Sequence, residues 1–197
     1  MVIATSYLPP VLYLAEVLRN GCAVVDIHET YTKQTCRNRC HIYGPNGRQA
    51  LTVPVTKPFG NHTKTKDIRI SNTLLWQKMH WRSIETAYNN SPFFLYYQDD
   101  FHPLFKHKFE QLVTLNNAML EVVFKCLNMT VPLSYSDDFI LDYKEDKRDQ
   151  LVSKKNNFKN REYPQPFAAK HGFIPNLSII DLIFNLGPES IEYLQKL

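Results

Sequence analysis

No carboxylate lies between Glu29 and Asp67, although the 197-residue chain carries 19 acidic residues against 23 Lys and Arg. The same window holds Lys33, Arg37, Arg39, Arg48, Lys57, Lys64 and Lys66. A field of one sign suits an anionic ligand, because Arg forks match phosphate and carboxylate oxygens in pairs. The plainer alternative is a solvated basic hairpin. A net charge of +4 is too mild for a general nucleic-acid binder. Four cysteines, Cys22, Cys36, Cys40 and Cys126, are too few for a disulfide framework at this length. Cys36, Cys40 and His41 lack the C-x2-C spacing of zinc sites, so no metal is expected. The N-terminus has no basic region, and Pro9-Pro10 interrupts its apolar run, which argues against a signal peptide. No window approaches the ~18 apolar residues of a membrane span. A cytoplasmic, reduced protein is expected. Glycine-rich phosphate loops, G-x-S-x-G and H-E-x-x-H are all missing, no repeat is found, and no motif points to a cofactor.

What is present reads as one globular domain. Hydrophobic residues make up 44% of the chain and aromatics 13%, which favours a packed core over disorder. Residues 2–4 and 22–27 are short apolar runs, and between them residues 11–19 place Val11, Leu14, Ala15 and Leu18 on one helical face. Pro10 suits a helix start and Asn20-Gly21 a helix end. The pattern predicts a compressed βαβ unit with neighbouring parallel strands. Residues 40–43 and 50–55 flank a Gly44-Pro45-Asn46-Gly47 turn and predict a hairpin, with Pro54 at an edge or an end. Residues 68–70 add a short strand. Residues 74–88 predict one helix and residues 103–128 a longer one, with Phe105, Phe109, Leu112, Asn116, Met119, Val123 and Cys126 in a single stripe. Residues 139–141 are taken as a small strand. Residues 144–161 are read as an exposed charged helix or loop, a candidate flap. The tail predicts a helix capped by Ser178, with Asp181 in its first turn. The fold class expected is therefore α/β, a small partly parallel sheet with an appended hairpin and a helical C-terminal half. Residues 1–72, 73–130 and 131–197 are its three parts.

Ligands of open α/β sheets sit beyond the carboxyl ends of the strands, where Ser6-Tyr7-Leu8 and Asp26-Ile27-His28-Glu29 fall. His80 as a base and Asp26 at a strand end are the candidate catalytic groups, although a lone His on an apolar face is more often a bonded core residue. Tyr7, Lys33, Arg37, Asn38, Arg39 and Arg82 are the candidate binding residues. Lys33, Arg37 and Arg39 are expected to share one concave surface with Tyr7 and His80. The tail is expected to fold back and bring Asn176 and Asp181 to that surface as orienting partners, against the alternative that Asp181 merely caps its own helix. Cys36, beside Arg37, is read as an ordinary buried thiol rather than an activated one.

Four blocks together resemble the WbqC-like family: Ser6-Tyr7-Leu8-Pro9-Pro10, the block from Tyr31 through Lys33, Arg37 and Asn38 to Arg39, Leu51-Thr52-Val53-Pro54-Val55, and the run from Gly172 to Leu182. His80-Trp81-Arg82 belongs to the same likeness, while Pro10 stands where many members carry Trp. The resemblance implies a role in bacterial surface-polysaccharide (O-antigen) biosynthesis, with transfer of an acyl or aminoacyl group to an amino sugar as one activity. The ligand implied is an anionic small molecule, a nucleotide-sugar or an activated acyl donor. Two other classes stay open: a non-catalytic binding or scaffold protein of the same pathway, and a nucleotidyltransferase-like enzyme.

Overall fold

The structure, a computed structural model, describes residues 1–153 and 158–197. The elements run β1 (Val2–Ile3), α1 (Val11–Asn20), β2 (Ala23–Val25), β3 (Arg39–Gly44), β4 (Gly47–Thr52), β5 (Val55–Thr56) and β6 (Arg69–Ile70). The helices α2 (Trp76–Tyr88), α3 (Phe94–Lys106) and α4 (Leu112–Cys126) follow, then β7 (Leu133–Tyr135) and α5 (Arg148–Val152). The tail holds α6 (Ala168–His171), α7 (Ile179–Leu186) and α8 (Ser190–Gln195).

The expected βαβ unit forms. Val2 and Ile3 are fully buried, as a parallel strand covered on both faces requires. β1 pairs with β2 in parallel, Val2 opposite Val24 and Ile3 opposite Val25. Between them α1 starts after extended Pro10 and ends at Gly21, whose φ of 70° is the left-handed conformation that glycine adopts without a Cβ clash. β7 adds to the far side of β2 in parallel. Residues 145–147 cover the other edge of β1: the Val2 N–H donates to the Glu145 carbonyl at 3.0 Å and the Lys147 N–H to the Val2 carbonyl at 2.9 Å.

The hairpin pairs β3 with β4 from Arg39–Thr52 to Gly44–Gly47. β4 stops at Thr52 rather than running on to residue 55, because Pro54 has no N–H to give. The chain then leaves the hairpin, and β5 pairs instead with β6.

Three expectations are corrected. The long helix of residues 103–128 is two helices, and Pro103 lies inside the first. The stripe of Phe105, Phe109 and Leu112 is buried as its spacing predicted, but the backbone between them is extended. There the Ile70 N–H donates to the Glu110 carbonyl at 2.7 Å and the Leu112 N–H to the Ile68 carbonyl at 3.0 Å, so pairing with β6 displaces helix. The small strand is at Leu133–Tyr135, not at residues 139–141. The charged segment is not wholly exposed: α5 buries Leu151 and Val152 against β1 and α1, and only residues 154–157 of that segment lie outside the described residues.

The tail docks on the rest of the chain. α7 packs against α1, α3, α4 and β3, with Leu177, Ile179, Ile180, Leu182, Ile183 and Phe184 all buried. The Phe184 ring lies 5.2 Å from that of Phe94, 5.4 Å from Tyr88 and 5.7 Å from Phe101.

Candidate functional site

Arg37, central to the cationic block, turns inward and is 0% exposed. No acid exists within its own window, so it reaches just outside. Its Nε and Nη2 donate to the two Glu29 oxygens at 2.6 and 2.7 Å, and Nη2 also meets Asp149 Oδ1 at 3.3 Å. Burial opposes the charge on Arg37, and the Glu29 carboxylate more than restores it. The Arg37 carbonyl accepts a hydrogen bond from Asn116 Nδ2 at 2.8 Å, which supplies the partner that a polar residue in the α4 stripe needs. Arg37 is thus a bonded strut, while Lys33 and Arg39 face elsewhere.

Those two reach a cleft of roughly 480 Å³ lined by Tyr31, Lys33, Gln34, Asn38, Arg39, residues 52–55 and Lys57. The extended backbone alternates its side chains, so Tyr31 and Lys33 face this cleft while Thr30 and Thr32 face another. None of the lining residues is acidic. Lys57 is held below the ordinary lysine range by partial desolvation and then by the adjacent Lys33 ammonium. Its Nζ also sits 5.8 Å from the centre of the Tyr31 ring. Arg39 Nε donates to Thr52 Oγ1 at 2.9 Å. Among the described residues, Lys33, Arg39 and Lys57 form no ion pair. On the wall, Asn38 is 7% exposed and donates from Nδ2 to the Val53 carbonyl at 2.9 Å. Its Oδ1 accepts no hydrogen bond among the described residues. Leaving such an oxygen unpaired costs about 1–3 kcal/mol. That oxygen has no solvent-accessible surface and belongs to the packing of the wall, while the like charges brought together fit an anionic ligand.

A second polar cluster lies beyond the carboxyl ends of β2 and β7. Asp26, fully buried, accepts the Ser136 hydroxyl and the His28 backbone N–H on Oδ1, both at 2.9 Å, and Arg148 Nη1 on Oδ2 at 2.5 Å. Because the Ser136 proton goes to Asp26, Ser136 Oγ accepts from His28 Nδ1 at 3.2 Å. His28 Nε2 then accepts from Lys66 Nζ at 3.0 Å. Asp26 is tied at both oxygens.

A sequence profile decides the family. The profile of the WbqC-like protein family matches residues 5–171 and 154–193. The chain belongs to the WbqC-like family. A Mycobacterium tuberculosis (strain ATCC 25618 / H37Rv) protein described as "Uncharacterized protein Rv1507c" is 28% identical over 196 residues, covering 84% of each chain. No solved structure matches.

The remaining candidates of this WbqC-like chain lie behind the cleft or away from it. His80 and Tyr7 are buried, the Tyr7 hydroxyl 3.0 Å from His80 Nδ1. The Thr52 backbone acts on the ring in favour of its charged form, so His80 buttresses the strand whose Thr52 side chain holds Arg39. Arg82 is exposed on α2. Asn176 Oδ1 accepts the Leu12 N–H at 3.0 Å and so caps α1. Asp181 accepts from Tyr163 at 2.6 Å, Tyr88 at 2.8 Å and Gln165 at 2.9 Å. The tail therefore brings these two to neutral partners, not to Arg or Lys, and Ser178 donates to the Leu8 carbonyl at 2.9 Å instead of capping α7. Burial pushes the Cys36 thiol up to about 11, that of an inert thiol. The groups that the sequence did not single out are Lys57, Thr52, His28, Ser136, Lys66 and Arg148. Of these, Lys57 and Lys66 carried a signal as members of the acid-free window, and His28 as part of the strand-end run from Asp26 to Glu29.

Burial raises the Asp181 carboxyl from 3.8 to about 6, and lowers His80 from 6.5 to about 4. The two act on stability with opposite sign. Asp181 contributes stability below pH 3.8 that is lost as the pH rises through about 6. His80 contributes stability above pH 6.5 that is lost as the pH falls toward about 4. The expected result is a flat stability profile between these limits, with opposite site-specific titrations beneath it. Carbon-13 detection should find the Asp181 Cγ midpoint near pH 6, and ring-proton detection the His80 midpoint near pH 4. An Asp181 midpoint near the ordinary 3.8 would show that its three donors outweigh burial.

Proposed function

We propose that this chain is a transferase of bacterial surface-polysaccharide (O-antigen) biosynthesis, moving an acyl or aminoacyl group from an activated, anionic donor to an amino sugar. The observation that carries the reading is the acid-free cleft, where Lys33 and Lys57 crowd each other beside Arg39. Membership of the WbqC-like family supports the pathway. Lys33, Arg39 and Lys57 bind the donor's negative charge, which also stabilises the charge that develops on a leaving phosphate or carboxylate. His80 serves this site by steadying the strand that carries Thr52.

A second reading, a non-catalytic binding protein of the same pathway, is favoured by a specific fact. The two groups best suited to acid–base work, Asp26 and His80, have their polar atoms engaged by protein. The deciding experiment pairs thermal-shift screening of nucleotide-sugars, nucleotides and acyl phosphates with a product assay on every stabilising compound. The transferase shows stabilisation with turnover, the binder stabilisation alone. Lys33→Ala or Lys57→Ala should weaken the stabilising ligand by about 1.5–3 kcal/mol, the range for hydrogen bonds to charged groups, with the melting temperature unchanged. If no anion raises the melting temperature, both readings fail.

A further inference from the structure

The parallel sheet has two edges, and the fold treats them differently. Residues 145–147 cover β1, bonding both the N–H and the carbonyl of Val2. At the other end of the order β1–β2–β7, no strand among the described residues lies beyond β7. The register fixes which groups that edge presents. The Ala23 N–H donates to the Pro132 carbonyl at 3.2 Å and the Ser136 N–H to the Val25 carbonyl at 3.0 Å, so residues 132, 134 and 136 turn their backbone towards β2. Successive residues of a strand present their N–H and C=O to alternate sides. Leu133 and Tyr135 therefore turn theirs outward, and nothing among the described residues bonds to them.

We infer that this edge is the surface on which a second copy of the chain docks, β7 pairing antiparallel with the partner's β7 about a two-fold axis at Ser134. The strand is complementary to itself in that register. Leu133 faces the partner's Tyr135, and such a pair exchanges both backbone hydrogen bonds. Ser134 faces the partner's Ser134 in the intervening pair. A two-fold axis sets like against like, so a charged strand would repel its own copy. None of residues 126–136 is charged. Asp137 falls opposite the partner's Val131, clear of its own copy. The Lys side chains and inward charges that guard an open edge are missing here. Pro132 is no guard either, since the N–H that it lacks would face β2. Tyr135, 39% exposed, gives the partner's half-buried Leu133 an aromatic–aliphatic contact across the strands. Phe139, Leu141 and Tyr143, also exposed, follow close behind in the chain and leave further apolar surface for a partner to cover.

Sedimentation equilibrium on the full chain tests this. A monomer–dimer equilibrium with half-dissociation at about 1–100 µM is expected of so small an interface. Ser134→Lys brings two ammonium groups together across the axis and should weaken the dimer about fivefold. Its melting temperature should match that of the parent monomer, because Ser134 is exposed. A cross-link reads the register itself. With the exposed Cys22 first changed to Ser, Ser134→Cys lies in a pair whose Cα atoms are about 4.5 Å apart, within disulfide reach. Oxidised glutathione should then give a covalent dimer on a non-reducing gel. Asp137→Cys, equally open to solvent, should stay monomeric on that gel. A chain that remains monomeric at about 200 µM overturns the proposal and leaves the edge to another strand or to water. A dimer that Ser134→Lys does not weaken, or in which Asp137→Cys cross-links as fast as Ser134→Cys, overturns it too, because the copies then meet elsewhere.

Discussion

Replacing Arg37 with Ala is expected to cost about 3–5 kcal/mol of unfolding free energy, the range for breaking one partner out of a buried ion pair. The side chain is fully buried, and its removal strands the Glu29 carboxylate, whose two oxygens would lose donors at 2.6 and 2.7 Å. At this chain length the loss corresponds to a fall in melting temperature of roughly 6–20 °C. Guanidinium denaturation of the variant measures it. Its companion is the double change Arg37→Met, Glu29→Leu, which removes the charge and the counter-charge together. Replacing a buried pair by apolar residues of similar volume is often neutral, so most of the stability should return, although Asp149 also loses its contact. If Arg37→Ala melts like the parent protein but no longer binds anions, Arg37 is a ligand residue and its contact with Glu29 is incidental.

Deletion of residues 172–197 should leave no cooperatively folded protein. The segment removes Leu177, Ile179, Ile180, Leu182, Ile183 and Phe184, all buried. Burying six such side chains is worth about 9–18 kcal/mol before entropy, against a total stability of about 5–15 kcal/mol for ordinary domains. Phe184 alone leaves a hole between Tyr88, Phe94 and Phe101. The deletion also takes Asn176 from the start of α1. Far-ultraviolet circular dichroism should show residual helix with a sloping melt, and a hydrophobic dye should bind strongly. A sharp transition at the parent's temperature would mean that the tail is an appendage.

The parts of the fold legible in the sequence are those whose signals are local. β1, α1 and β2 are two apolar runs and an amphipathic helix bracketed by Pro9-Pro10 and Asn20-Gly21, each readable without its neighbours. β7 was not readable. Leu133, Ser134 and Tyr135 have no continuous apolar character, and their strand exists because Ala23, Val24 and Val25 wait 110 residues earlier for an edge partner. The break between α3 and α4 is a conflict of the same kind: Phe105, Phe109 and Leu112 keep the helical spacing, while backbone bonds to residues 68–70 decide the conformation. At the site, the acid-free window located the cleft through Lys33, Asn38 and Arg39. It could not separate Arg37 from its neighbours, because which cation turns inward depends on Glu29 and Asp149 folding onto it. Nor could it show that Lys57 returns over Tyr31.

The cap of the first helix has a consequence in time. Leu12 receives its side-chain cap from Asn176, 164 positions later, and the free edge of β1 is covered only by residues 145–147. At synthesis rates of about 5–20 residues per second, the emerging βαβ unit waits on the order of 10–30 s for the cap. Until residues 145–147 are made, Val2 and Ile3 present an unpaired parallel edge, the kind of surface to which nascent-chain chaperones and neighbouring chains adhere. The first elements made are therefore among the last secured, and the load that this chain places on the folding machinery is set by residues 145–147 and Asn176.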